Sequence, residues 1–184
     1  RIVDPGTKTV SKYVVDTNVI LAASSHHSEL SPSCVVECVR QLAAIMASGT
    51  IYIDQAGKIV GEYCNKSSPW TGNKPGDLFL KWVTNSQGNS ERCVQVQIRE
   101  SADNKYEEFP DSALQDEFDP PDRKFIAVAH ASDMNPTVLQ AADCKWLNWN
   151  VSLKASGISV DFVCPDDICK FYKAKFQERS VPDF

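Results

Sequence analysis

Three acids sit where strands are expected to end and helices to begin: Asp16, Asp122 and Asp143. In an open α/β sheet the ligand crevice lies beyond the carboxyl ends of the strands, so residues placed there converge even when far apart in sequence. Carboxylates gathered in one crevice repel one another, and a hard divalent cation is the usual remedy. Mg²⁺ and Mn²⁺ prefer oxygen ligands and keep several waters. Such an ion polarises a phosphodiester, positions a water and lowers its pKa, which is chemistry for Asp and Glu rather than His or Cys. A fourth acid, Glu62, lies mid-helix at the rim of an Ile59/Val60/Tyr63 apolar stripe.

Each of these residues also has a plainer use. Asp16 and Asp143 could each cap the helix that follows, and Asp122 could be a first-turn carboxylate favoured by the helix dipole, with Asp119 as the cap. A glutamate at the edge of an apolar stripe is by default solvated. Residue type and spacing alone leave both readings open.

The elements that must position these acids follow from the hydrophobic pattern. Lys12 to Val15 is a β-prone run ending in Asp16, and an apolar helix-like stretch follows it. Ser31-Pro32 opens a helix with a capping hydroxyl and a proline at the first helical position. Val35, Cys38, Val39, Leu42, Ile45 and Met46 recur at helical spacing until Gly49. Thr50 to Ile53 reads as a second strand, Lys58 to Lys66 as the helix carrying Glu62, and Leu78, Phe79 and Trp82 as a further helical stripe. Cys93, Val94, Val96 and Ile98 suggest a strand at a sheet edge. Pro120-Pro121 marks a helix running to about Ala131. Thr137 to Ala141 and Ile158 to Cys164 read as the last two strands. Between them lies a helix with Trp146, Leu147, Val151 and Leu153, stopped by Gly157. Pro165 begins a final helix bearing Lys170, Lys173, Lys175 and Arg179. Strands alternating with helices predict a three-layer α/β/α sandwich around a mostly parallel five-stranded sheet. Residues 1–184 read as one domain, with an irregular acidic insertion around 85–118 and a loop, not a boundary, at 65–76. There is no GxxxxGK[ST] and no GxGxxG phosphate loop.

The chain has 184 residues and a net charge of −5, which argues against a passive nucleic-acid binder with a basic face. That acidity is local. Residues 100–122 hold nine acids and one base, and without them 18 basic and 15 acidic residues remain. No apolar run approaches the ~20 residues of a membrane span, and the first dozen residues lack the apolar core of a secretory leader. Arg1 in place of an initiating Met is compatible with a trimmed leader or tag. None of the seven cysteines forms a CxxC pair; they read mostly as small buried hydrophobes in a reducing cytosol.

Val14-Val15-Asp16-Thr17-Asn18-Val19-Ile20 resembles the opening signature of PIN-domain nucleases, where a buried strand delivers the first metal-binding aspartate. Gly61-Glu62-Tyr63 resembles the family's helix-borne glutamate. The segment from Asp122 through Arg123, Lys124 and Phe125 to Ala129 resembles the one bearing the third acid, and Ala142-Asp143 the fourth. The four matches come in family order and cover nearly the whole chain. Two features depart from the pattern: the stretch 66–118 is longer and less regular than a compact member requires, and Asp143 is followed by Cys144 and Lys145 where some relatives carry a further acid.

The resemblance implies a metal-dependent nuclease cutting single-stranded or structured RNA, the single strand first, and less often DNA. Asp16, Asp122 and Asp143 would hold Mg²⁺ or Mn²⁺, and Glu62 would position or deprotonate the attacking water. Thr17 and Asn18 would orient the Asp16 carboxylate, and Lys145 and Arg123 would contact substrate phosphate. Many small members are cytoplasmic toxins held off by an antitoxin-like partner that blocks the pocket; whether this chain forms a homodimer is left open. A non-catalytic scaffold binding RNA or protein is the alternative, although such members usually lose one or more of the acids. An aspartate-nucleophile phosphatase is disfavoured because Asn18 breaks the DxDx[TV] motif. Three further features have bland readings beside the functional ones. His26 and His27 read as solvated and His130 as packed or partly exposed. Trp146 and Trp149 are core residues before they are a stacking face. The basic final helix is as well explained by solvation as by steering a strand.

Overall fold

A computed structural model describes residues 10–67 and 71–184. Five short runs rich in β-branched and aromatic residues form one parallel sheet: Lys12–Val15 (β1), Thr50–Asp54 (β2), Cys93–Val96 (β3), Thr137–Gln140 (β4) and Val160–Phe162 (β5). All four pairings are parallel, and the strand order is β3-β2-β1-β4-β5. Every residue of β2 is buried, as expected of a central strand covered on both faces. The helices are Thr17–Ala23 (α1), Pro32–Ser48 (α2), Lys58–Lys66 (α3), Pro75–Ser86 (α4), Ser112–Glu117 (α5), Arg123–Ala131 (α6), Trp146–Ala155 (α7) and Pro165–Lys175 (α8). The α/β class, the five parallel strands and the edge position of β3 agree with the reading of the sequence.

The connections decide where a site can lie. The chain leaves β1 for β2 on one side, whereas β4 adds to the other side of β1. The order of travel therefore reverses between β1 and β4, and the crevice beyond their carboxyl ends is the position for ligands in such a sheet. Asp16 directly follows β1, and its backbone N–H donates to the Leu139 carbonyl of β4 at 2.9 Å. Asp143 lies three residues beyond β4.

Helix packing holds that crevice. Helices α1, α2 and α4 pack on one another, and α6 lies across β2, β1 and β4. At Gly76 a Cβ would fall 2.4 Å from both the Ile20 carbonyl and Ser24 Oγ, so only glycine lets α4 approach α1 this closely. Gly76 N–H donates to Ser24 Oγ at 3.1 Å across that contact. Ser31 Oγ accepts from Cys34 N–H at 3.2 Å as the cap of α2, with Pro32 beside it, as its sequence predicts.

Several expectations need correction. Cys34 and Cys164 are not small hydrophobes but a disulfide with a Cα separation of 5.1 Å; 130 residues apart, they gave no local signal. Cys38, Cys93 and Cys144 are buried thiols as expected. Residues 85–118 are not all irregular, because β3 lies within them as an edge strand and the irregular part begins after it. Helix α8 ends at Lys175, so Arg179 lies beyond it. Leu78 is exposed, leaving Phe79, Leu80 and Val83 to carry the buried stripe of α4. The expected loop at 65–76 is narrower, since Asn65 and Lys66 close α3 and Pro75 and Gly76 open α4; residues 68–70 lie outside the described part. Among the described residues no helix is long and apolar enough to cross a membrane.

Candidate metal centre

Asp16 is 1% exposed and serves two ends at once. Its Oδ1 accepts from Asn18 N–H at 3.0 Å and so caps α1, because a helix start leaves unpaired N–H groups. Its Oδ2 is buried with no hydrogen-bond partner. Burial pushes its carboxyl well above the usual range, and the charges of Asp122, Asp143 and Glu62 push it the same way, against the Asn18 bond. All four sequence-predicted acids therefore meet in one electrostatic neighbourhood.

Two of them join a closer group. Carboxylate oxygens of Asp119, Asp122 and Asp143 lie within 4.8 Å of one another. Residues 120–122 form a 3-10 turn rather than the start of the helix. Such a turn has three residues per turn, so Asp119 and Asp122 stand on the same side of it. Asp119 does not cap it; its carboxylate pairs with Lys145 Nζ. Asp122 Oδ2 accepts from Trp146 Nε1 at 3.1 Å. Burial raises the Asp122 carboxyl to about 6; the Trp146 bond and Lys124 oppose this, and the Asp143 and Asp119 charges add to it. Asp143 Oδ1 accepts from Lys145 N–H at 3.0 Å and so holds the turn before α7, rather than capping that helix as its position suggested.

Glu62 faces this group from α3. Asp54, at the end of β2 and 1% exposed, fixes that helix by accepting from Lys58 N–H at 2.8 Å and Ile59 N–H at 2.7 Å. Glu62 Oε1 accepts from Thr17 Oγ1 at 2.6 Å and Oε2 from Lys124 Nζ at 2.6 Å. Glu62 is thus half-buried and held rather than freely solvated. Thr17 orients Glu62, not Asp16, which corrects the role expected for it; Asn18 does orient Asp16, through its backbone. Tyr63, one residue on, donates to the Val15 carbonyl of β1 and ties α3 to the strand that ends in Asp16.

Lys145 is held within the acidic group rather than offered to a substrate. Burial alone would lower its ammonium, but the Asp119 bond and the charges of Asp143, Asp119 and Asp122 outweigh it and hold it above its ordinary value. Arg123 is buried, and its Nε donates to the Phe118 carbonyl at 3.0 Å, so it turns into the fold. Trp146 and Trp149 are core residues, the first also steadying Asp122. His130 is exposed, with Nδ1 2.8 Å from the Glu108 carbonyl oxygen.

Two cavities open beside the acids. One of about 670 Å³ is lined by Asp16, Glu62 and Asp122 together with Lys58, Lys66 and Lys124. The other, about 440 Å³, is lined by Asp143, His26, His27, Phe171 and Lys175. Asn18 lines both. Sequence reasoning missed Asp119, Lys124 and Asp54. The three-residue step from Asp119 to Asp122 across Pro120-Pro121 was the available signal for the first; Lys124 sat inside the quoted segment, its direction unreadable without the α3 contact.

The site fits a hard divalent cation on three counts: its Asp119, Asp122 and Asp143 group is entirely oxygen, it is crowded with like charge, and the neighbouring Asp16 keeps one oxygen buried without a partner. No family model matches the sequence, and no curated protein or solved structure matches the chain.

Proposed function

We propose that the chain is a metal-dependent nuclease of the PIN type that hydrolyses phosphodiester bonds in RNA. One observation carries the reading: the buried, unpartnered Asp16 oxygen lies where strand order reverses and feels the charges of Asp122 and Asp143. A cap requires only one carboxylate oxygen, and leaving the other buried and unpaired costs free energy, which a cation at that oxygen would offset. Asp16, Asp122 and Asp143 would hold Mg²⁺ or Mn²⁺, together with Asp119, whose carboxylate groups with those of Asp122 and Asp143. When bound, the ion would supply charge stabilisation at the phosphate and a more acidic water.

The remaining work falls to the chain's own side chains. Each Glu62 oxygen keeps a second lone pair after its bond to Thr17 or Lys124. Glu62 can therefore accept a hydrogen bond from a water in the larger cavity, aim it at phosphorus and take its proton as the new P–O bond forms. The bond to the leaving ribose oxygen breaks, and that oxygen takes a proton from solvent. Lys124 and Thr17 hold the carboxylate in that direction. Lys66 gives the same cavity a cationic group for a polyanion, and Lys58 there is paired with Glu100. An inhibitory, antitoxin-like protein would have to cover these cavities. The cytoplasmic setting expected with this reading is opposed by the Cys34–Cys164 bond, since disulfides persist mainly in oxidising compartments.

A second reading, a non-catalytic scaffold, is favoured by the lysine pairs. Lys124 on Glu62 and Lys145 on Asp119 already compensate two of the five carboxylates without any ion. The two readings separate in one experiment: purified protein with labelled single-stranded RNA and Mn²⁺ or Mg²⁺, an EDTA control and the Asp16→Asn variant. Cleavage that needs metal and vanishes in the variant is expected. Folded protein that cuts none of several RNAs and a DNA would leave the scaffold.

A further inference from the structure

The two cavities share Asn18 and differ in what lines them. The larger one offers the Lys66 ammonium and the amides of Asn65 and Asn104, while its Lys58 and Lys124 are paired with Glu100 and Glu62. The smaller one has a mixed wall, in which an aromatic ring stands among His26, Ser28, Glu29 and Asp143. Phe171 is half-buried against the core and presents its remainder to the cavity; Leu30 and Ala142 line it too, with His27 and the exposed Lys175 at its edge. Its volume of about 440 Å³ falls within the ~300–1,000 Å³ typical of small-molecule sites. Asp143 lines this cavity, while Asp16 and Asp122 line the other, so the acidic centre stands between them.

A phosphodiester joins two nucleosides. A phosphate placed at this centre must send one of them toward each cavity. We infer that the cavity walled by Phe171 is a nucleobase pocket, which takes the unstacked base next to the scissile phosphate, with Lys175 on the phosphate beyond it. This rests on the nuclease reading and sharpens its substrate class to single-stranded RNA. A base can enter such a pocket only when it has left its stack and its pairing partner, and aromatic side chains hold the bases of single strands by stacking on them.

The test is a binding measurement that pairs a side chain with a base. Fluorescein-labelled oligouridylate, the same length of abasic ribose-phosphate chain, and an RNA duplex are titrated against Asp16→Asn protein, which does not cut on this reading. The titrations are repeated with Phe171→Leu and Phe171→Tyr added, all variants being checked by thermal unfolding. Stacking is worth ~1–3 kcal/mol per base, so Phe171→Leu should weaken oligouridylate binding by about 5- to 100-fold. The abasic chain and the duplex should change by less than twofold, and Phe171→Tyr should restore binding. Equal weakening of the oligouridylate and abasic chains, or no weakening of either, overturns the pocket. Failure of the nuclease reading looks different: wild-type protein does not cut RNA with metal, whatever Phe171 does to binding.

Discussion

The acidic centre should make the metal-free protein less stable as pH rises, and a cation should reverse this. Burial, with Asp143 and Asp119 adding to it, moves the Asp122 carboxyl from 3.8 to about 6. A carboxyl whose folded value is raised binds more protons folded than unfolded between those two values, so stability falls as pH climbs from about 4 to about 6. At ~1.4 kcal/mol per unit, a shift of roughly two units amounts to about 3 kcal/mol. For a chain of this length that corresponds to roughly 6–12 °C in Tm, if ~2–4 °C accompanies each kcal/mol. Asp16 pulls in the same direction. Asp122→Asn removes the charge but keeps an acceptor for Trp146 Nε1. In EDTA the wild-type Tm should therefore fall relative to the variant's between pH 4 and pH 7, and the difference isolates this residue from other titrations. Mn²⁺ at 100 times its dissociation constant adds about 2.7 kcal/mol. The gain should be large at pH 7.5 and small at pH 5, where protons compete for the same oxygens. Thermal unfolding followed by circular dichroism reads all of these. A wild-type Tm that rises relative to Asp122→Asn over that pH range would refute the reasoning, as would an equal Mn²⁺ shift in the two proteins.

Two further outcomes are expected. Glu62→Gln should lower the cleavage rate by ~10²- to 10⁴-fold, the usual range for a general base, while the Mn²⁺-dependent Tm shift survives; an unchanged rate would remove Glu62 from proton transfer. Cys34→Ser should destabilise the fold by at most about 5 kcal/mol on the chain-entropy estimate for a loop this long, read by urea unfolding without reductant. The unmutated protein should titrate with five free thiols, and seven would dispose of the disulfide.

The sheet was legible because its strands are short, β-branched and separated by helices with local start signals, such as Ser31-Pro32 before α2 and Pro165 before α8. Asp16 and Asp143 were legible because a strand end is a position in sequence as well as in space, whereas Asp122 follows no strand and stands in the 3-10 turn between α5 and α6. What failed was whatever depends on a partner from another element. Thr17 was expected to serve its neighbour Asp16, but its hydroxyl reaches Glu62, 45 residues away. Lys145 and Arg123 looked free to meet phosphate because their partners, Asp119 and the Phe118 carbonyl, are supplied by the fold. The Cys34–Cys164 bond has the same origin: α2 and the end of β5 meet only once the sheet is built.

Capping and metal binding are rival explanations for Asp16 in the sequence, and the geometry makes them compatible, because the cap engages only one of its oxygens. The cap accounts for an aspartate at the strand–helix junction, and for Oδ1. A serine or asparagine would cap as well without bringing a second charge-bearing oxygen into a buried place near three other acids. An aspartate retained there, with Oδ2 unpaired, carries a cost that the helix start does not need. The same reasoning separates Asp54 from Asp16. Asp54 is as deeply buried, but both of its oxygens are engaged by the first turn of α3, so nothing in it calls for a ligand. On the proposed reading, the cation would bind at the carboxylate with an oxygen left over among its like charges, and not at the one with both oxygens engaged.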